Sequence, residues 1–302
     1  MEFSSLRAFV QVAREGSFSH AADALYLTQP AISKRIAGLE SELSVRLFDR
    51  VGRQVILTEA GRQLLPRAEQ LIQELADIQR GLSNLSGRVS GRLAMGTSHH
   101  IGLHRLPPAL RHFSDLYPQV ELDIRFMESE RACLSVEQGT LELAIVTLPL
   151  HPIETLNTQK IWHDPLCVAV GRDHVLAQER GVPLAKLVEH PAVLPTRGTY
   201  TRSLLEQSIN AHQHQVNCTL ATDYLETLKM MTSIGLGWSL LPEILIDEQM
   251  VKLDVPELKL TRSLGIVTHR KRTLSNAASA MRSELLAKRD DTEGAIDRDQ
   301  SS

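Results

Sequence analysis

The chain has 302 residues, 42% hydrophobic and 23% charged, the balance of an ordinary soluble globular protein with room for two or three domains. No apolar run approaches the length of a membrane span, and aromatic residues are only 4%, so the cores are expected to be mostly aliphatic. The net charge of −3 does not advertise a polyanion partner, and the split between 12 Lys+Arg against 10 Asp+Glu in residues 1–92 and 21 against 26 in residues 93–302 is too small to decide one. Met1 leads into a polar, helix-like segment with no secretory pattern, and Cys133, Cys167 and Cys218 stand far apart without metal-type spacing. They read as reduced, buried thiols of a cytoplasmic protein.

Leu6, Phe9, Val10 and Ala13 fall on one face of a first helix. Ser17 and Ser19 offer caps for a second, spanning Ser19–Leu25, with small apolar residues Ala21, Ala22 and Leu25. A third begins after Thr28 and buries Ile32, Ile36, Leu39 and Leu43 at i, i+4, i+7 and i+11. Its outward face is Pro30, Lys34, Ala37 and Gly38, with Ser33 on the flank and Gln29 in the first turn. That face is narrow and short-chained, with one positive charge and a hydroxyl. Thr28 caps free N–H groups, and the helix start carries partial positive charge that suits a phosphate. Pro30 is tolerated in the first turn, where its missing N–H is not needed.

Two helices joined by a tight turn, the second slim and polar outward, make a helix-turn-helix whose second helix fits a major groove. Gln29 and Ser33 suit base edges, whereas Lys34, Arg35 and Arg53 suit phosphates. The stretch LFDRVGRQVILT predicts a hairpin about Gly52-Arg53, a wing along the backbone. A helical hairpin of a protein-binding domain remains the alternative.

From Thr58 the pattern lengthens. Leu64, Ala68, Leu71, Leu75, Ile78, Leu82 and Leu85 alternate in steps of four and three, the seam of a two-helix coiled coil. A single amphipathic helix packed on its own domain is the other reading. Pro66 is expected to kink or divide this helix. SGRVSG at 86–91 reads as a hinge. Beyond it, strand-like RLAMGT, VELDIRF, ELAIVTL, PLCVAVG and HPAVLP alternate with helical Leu106–Leu116 and Tyr200–Ala211. This predicts an α/β domain with a mainly parallel sheet, large enough for two lobes. The polar tail KRDDTEGAIDRDQSS is expected to be disordered.

These residues carry a resemblance. The elements GSFS.AA..L, TQPAIS..I..LE..L and LF.R.....LTEAG resemble the N-terminal winged helix-turn-helix of LysR-type transcriptional regulators, and SIGLGWSLLPE at 233–243 is similar to a late segment of that family. The resemblance implies a winged helix-turn-helix at 1–58, a dimerisation helix at 59–86 and a hinge at 87–91. It further implies a two-lobed α/β effector domain at 92–290, similar to periplasmic binding proteins, before a tail at 291–302. Lobe I would take about 92–162 and 266–290, lobe II about 163–265. Partners implied are an interrupted inverted repeat of double-stranded DNA near a promoter, a small-molecule effector, RNA polymerase, and further copies of the chain as homodimer and homotetramer. Gln29, Pro30, Ser33, Lys34 and Arg53 occupy the family's DNA-contacting positions; Ser19, Thr28 and Arg35 complete the set expected here. His20 stands where many members carry a small polar or basic residue.

Two loops share a build that suits a ligand. One follows a strand and opens a helix with Thr97, Ser98, His99 and His100; the other does so with Arg197, Gly198, Thr199, Tyr200 and Thr201. Facing across a crevice at strand ends, such hydroxyls and free N–H groups suit a small anion. Ordinary helix caps are the alternative. The resemblance places the effector there, with Thr147 at a third strand end. The set Ser98, His100, Thr147 and Thr199 is similar to that of members answering to sulfate-like ions and sulfur metabolites. Glu128 is expected near the same rim, where an inward carboxylate would disfavour an anion.

Other chemistries find less support. His100 and His104 have i, i+4 spacing, but no HExxH arrangement and no matched carboxylate is visible, so no metal or other cofactor is expected. No G-x-S-x-G elbow, phosphate loop or dinucleotide fingerprint argues for an enzyme. Thiol-based redox sensing, or a small-molecule binding protein or enzyme without a DNA role, are the remaining alternatives.

Overall fold

The computed structural model describes residues 2–51 and 54–290, in two compact units, Met1–Ser86 and Gly87–Ser302. The Gly52-Arg53 turn and the tail 291–302 lie outside the described residues. In the first unit, α1 (Phe3–Glu15), α2 (Phe18–Ala24) and α3 (Gln29–Leu43) precede a two-stranded antiparallel wing, β1 (Phe48–Val51) and β2 (Gln54–Leu57), and a long helix, α4 (Glu59–Asn84). Leu6, Phe9, Val10, Val12, Ala21, Ala22, Ile32, Ile36, Leu39 and Leu47 bury into one core, closed by Ala68 of α4.

Local chemistry sets each boundary. Ser17 Oγ accepts from His20 N–H, so α2 starts one residue earlier than expected, and Ser19 lies exposed in its first turn, not at the cap. Thr28 Oγ1 accepts from Ala31 N–H at the start of α3. Glu40 turns its carboxylate back to accept from Leu47 N–H at 2.7 Å and Phe48 N–H at 3.3 Å, fastening the wing to α3. Leu43 is 37% exposed: α3 ends there, its cap Ser44 takes a left-handed conformation, and the last turn leaves the core. Thr58 bridges the wing and α4 by accepting from Gly61 N–H while donating to Arg46 C=O. Gly61 is needed because a Cβ there would stand 2.3 Å from Leu47 O.

Pro66 does not divide α4, which runs unbroken through it. Leu64, Leu65 and Ala68 on either side pack into the unit's core, which offsets the roughly 3 kcal/mol cost of an interior proline. The heptad stripe is thus split in use. Leu64 and Ala68 serve their own domain, whereas Leu71, Ile78, Leu82 and Leu85 are exposed, Leu85 by 83%.

The second unit contains β3 (Gly91–Thr97), α5 (His99–His104), α6 (Pro107–Leu116), β4 (Val120–Phe126), α7 (Ser129–Glu137), β5 (Leu143–Thr147), β6 (Leu156–Gly171) and α8 (Leu184–Leu187). It continues with β7 (Ala192–Leu194), α9 (Tyr200–Ala211), β8 (Cys218–Ala221), α10 (Leu225–Ser233), β9 (Ser239–Pro242), β10 (Met250–Leu253), β11 (Leu260–His269) and α11 (Asn276–Leu286). The main sheet has the order β10-β6-β11-β5-β3-β4, with β9 also on β6; β7 and β8 form a separate parallel pair. Only β3 runs parallel to its neighbours, β4 and β5; the other ladders of this sheet are antiparallel, so it is not mainly parallel as expected. The reason is that β6 and β11 run the length of both lobes as a return pair. Their register slips at Leu264/Gly265, where a Cβ on Gly265 would stand 2.3 Å from Gln159 O.

Each lobe has its own main core. Leu93, Met95, Phe113, Ile145, Trp162, Ile266 and Met281 fill lobe I. Leu166, Val168, Leu194, Leu205, Trp238 and Leu253 fill lobe II. Among the described residues, no helix is long and apolar enough to cross a membrane.

Candidate functional site

The exposed side of α3 presents Gln29, Pro30, Lys34, Ala37 and Gly38, with Ser33 and Arg35 half-buried at its edges. Gln29 Nε2 donates to Ser33 Oγ at 2.9 Å, so two polar side chains one turn apart are held as one unit. Thr28 is exposed at the helix start. Tyr26, in the turn before it, has a left-handed backbone (φ +55°) and is 96% exposed. Periodicity gave no sign of this aromatic, since it belongs to neither helix; the signal was a large ring in a turn with nothing to pack on. Arg53 lies outside the described residues.

The second unit has a cavity of about 330 Å³ between its lobes. It sits at the C-terminal ends of β3, β5 and β7, where α/β folds hold ligands. Ser98, His99, His100, Glu128, Thr147, Thr199 and Thr201 all line it. Thr97 and Tyr200 do not. Thr97 is fully buried and spends its hydroxyl on Ile145 C=O at 2.9 Å. The side chain of Tyr200 turns into the apolar cluster around Cys133, while its backbone N–H donates to Glu130. The hydroxyl of Thr199 is also committed, accepting from Arg202 N–H and donating to Thr196 C=O. Thr147 is held by its N–H donating to Ser129 Oγ at 3.1 Å.

Sequence reasoning missed the floor and the rim. The floor is Arg262, whose Nε donates to Asp164 Oδ2 at 2.7 Å and whose Nη1 donates to Thr201 Oγ1 at 2.8 Å, all three residues being buried. The rim is aromatic: His99 stands edge-on to Phe126 of lobe I and Tyr224 of lobe II, with ring centroids 5.4 and 5.5 Å apart. Glu128, Glu130 and Asp223 add carboxylates, against Arg131 and Arg262. Burial raises the pKa of Glu130, partly opposed by the N–H groups its carboxyl accepts from.

His100 is 3% exposed, and neither ring nitrogen has a hydrogen-bond partner among the described residues. Burial, then the charge of Arg262, push its pKa down to about 3. Its ring lies 4.9 Å from that of His104, and Glu226 of α10 approaches both. Burial also pushes the thiols of Cys133 and Cys167 up to about 11, so both stay protonated, while Cys218 is half-buried, not buried as expected.

Family comparisons agree with this architecture. Residues 3–62 match the bacterial regulatory helix-turn-helix protein, lysR family, and residues 86–290 match the LysR substrate binding domain. A transcriptional regulator of Shigella flexneri, YfeR, is 31% identical over 281 residues, covering 91% of this chain and 90% of its own. In fold, the chain is similar to full-length CbnR in complex with its target DNA (TM-score 0.63, 18% identity, 95% of this chain and 99% of that one). The Synechocystis PCC6803 CcmR regulatory domain in complex with 2-PG is also similar (TM-score 0.61, 24% identity, 67% and 99%). The chain belongs to the LysR family of bacterial transcriptional regulators: a winged helix-turn-helix and a two-lobed effector-binding domain on one polypeptide.

The burial of His100 has a measurable consequence. In the unfolded chain its imidazole takes a proton near pH 6.5, whereas the folded site refuses one until about pH 3. The unfolded state therefore binds more protons in that window, so stability is greatest above it and falls on acidification, by up to about 1.4 kcal/mol per pH unit. Urea unfolding from pH 7.5 to 5 should show this loss in the native protein and a flatter profile in His100→Leu. Parallel profiles would mean that the ring is reached by solvent.

Proposed function

We propose that α3 enters the major groove of duplex DNA. Gln29 and Ser33 meet base edges, and Pro30 permits close approach. Lys34, Arg35, Ser19 and Arg53 meet phosphates, as does the Thr28-capped helix start. What carries this reading is the slimness of the exposed face over its first turns, where Pro30, Ala37 and Gly38 surround one exposed cation, Lys34. The coupled Gln29–Ser33 pair is preorganised to read a base, because its geometry is set before contact. Tyr26 adds a hydroxyl within reach of the backbone.

The exposed Leu71, Ile78, Leu82 and Leu85 of α4 pair with those of a second copy, so two DNA-binding units are presented to an interrupted inverted repeat. Dimers associate into tetramers and touch RNA polymerase, following the family's pattern. The protein works in the cytoplasm and has no enzymatic role.

The effector is a small anion that also carries hydroxyl or amine donors. Its negative group meets Ser98, Thr147, Thr201 and the starts of α5 and α9; its donors meet Glu128 and Asp223. The 2-PG complex of CcmR, similar in fold, supports an anion in such a cleft. His99 and Thr199 complete the wall, giving shape more than hydrogen bonds. The ligand acts only if it binds two arrangements of the lobes unequally. The high thiol pKa values of Cys133 and Cys167 speak against redox sensing as the signal.

Three experiments test these statements. Lys34→Ala should weaken promoter binding for all sequences and lower the slope of log K against log salt by about 1, while Ser33→Ala relaxes sequence preference instead; an unchanged slope removes Lys34 from the phosphates. Leu82→Glu should give monomers in analytical ultracentrifugation and much weaker binding to a two-half-site operator. A panel of phosphate, sulfate and small carboxylates should raise the melting temperature of the native protein, and Thr147→Val should abolish that rise while leaving ligand-free DNA affinity intact.

A further inference from the structure

His100 and His104 lie one turn apart on α5 of lobe I, and Glu226 lies on α10 of lobe II. His104 Nε2 stands 3.2 Å from Glu226 Oε1, and His100 Nδ1 stands 3.9 Å from the same oxygen. One donor atom from each residue lies within 4.8 Å of the other two. The donors of a tetrahedral zinc site stand about 3.3 Å apart, given bonds of 2.0–2.1 Å. The first spacing already matches, and side-chain rotation closes the others. We infer that His100, His104 and Glu226 form a binding site for one divalent transition-metal cation, of the zinc or cobalt type, joining the two lobes at the edge of the cleft.

Several observations converge on this. The His100 ring is buried, faces Glu226 and has no partner on either nitrogen; Glu226 Oε2 is likewise buried without one. A buried polar atom left unpaired is costly, so two such residues side by side call for a shared partner. A cation supplies it. The donor set of two imidazoles and one carboxylate suits zinc better than magnesium or calcium, which take oxygen. Three protein donors leave a fourth position for water or another ligand, and His100 is shared between this cluster and the cavity wall. The charge of Arg262, which already disfavours a proton on His100, opposes a cation there; its ion pair with Asp164 weakens that opposition, and Glu226 brings a negative charge of its own to the site.

The consequence is mechanical. Because α5 and α10 belong to different lobes, the cation acts as a clasp, favouring the closed arrangement over any in which Glu226 swings away. This regulatory part rests on the reading of the cleft as the signal-sensing site, whereas the metal site itself does not.

The test uses the full chain, stripped with chelator. Co²⁺ should bind with one equivalent and give the visible d–d bands of a tetrahedral site, and Zn²⁺ should displace it. Loss of an outer-shell partner already weakens metal sites about 10–100-fold, so His104→Ala and Glu226→Gln, which remove ligands, should weaken uptake by at least about 100-fold. His104 is about one-third exposed and Glu226 similarly so, which makes both variants mild for folding. His112→Ala, which breaks an exposed His–Glu pair elsewhere on lobe I, should bind Co²⁺ as the native protein does. Absent uptake, or uptake that His104→Ala and Glu226→Gln leave unaltered, overturns the site. A parallel gel shift of the metal-free protein keeps the two readings apart. Operator binding without any metal uptake leaves the regulator standing and removes the clasp, whereas failure to bind DNA under every condition removes the regulator whatever the metal result.

Discussion

The buried ion pair between Arg262 and Asp164 is the constraint around which the effector-binding unit is arranged. β6 and β11 each pass through both lobes, and the pair sits on these strands where the lobes meet. From there Arg262 reaches Thr201 at the start of α9, while Arg105, just after α5, approaches Asp164 from the other side at 3.8 Å. Two guanidiniums and one carboxylate thus tie the start of α9 in lobe II to the end of α5 in lobe I. Removing either partner would strand a buried charge at a cost of about 3–5 kcal/mol, more than most single contacts supply. The same guanidinium helps to keep His100 neutral, so the strand crossing also fixes the electrostatics of the cleft wall.

In the DNA-binding unit the equivalent task falls to backbone-directed side chains. Ser17, Thr28, Glu40 and Thr58 each accept from N–H groups at an element boundary. Glu40 is the decisive one, since it fastens the wing to α3. With a caliper of this kind, α3 can have a bare outer face, because none of its outward residues is needed for folding. That division of labour explains how Pro30, Ala37 and Gly38 come to be exposed on a helix whose inner residues Ile32, Ile36 and Leu39 are buried.

The first unit was legible in the sequence because its information is local. Helical period, caps and a hairpin turn fall within four residues of one another, and the three helices appeared where the apolar residues recur. The errors there were also local: Ser17 outcompeted Ser19 as a cap, and Leu43 lay past the point where α3 leaves the core. Pro66 misled because core packing on both sides outweighed a local rule. In the second unit the strand-to-helix loops were readable, but their roles were not. Thr97 and Thr199 carry the right hydroxyls and spend them on the backbone. Arg262 and Glu226 gave no signal at all, because their partners lie 98 and 122 residues away and no periodicity links such distances. The carboxylate missing beside His100 and His104 was present throughout, on the opposite lobe.

An anion arriving at the start of α9 would not find that helix end unoccupied. Glu130, on α7 of lobe I, already accepts from Tyr200 N–H on lobe II. A carboxylate of the protein itself thus occupies the position that favours negative charge, and burial raises its pKa there. A ligand that takes the same N–H must displace Glu130, and with it a contact between lobes, then offer its own contacts to both sides. The difference in free energy between those two sets of contacts is what can bias one lobe arrangement over another; tight binding alone cannot. An anion that binds only one side would open the cleft, whereas one long enough to reach Ser98 and Thr147 as well would replace the lost contact and hold it shut. On the proposed reading of the cleft, the reach of the ligand from the start of α9 to Ser98 and Thr147 therefore decides which lobe arrangement it favours.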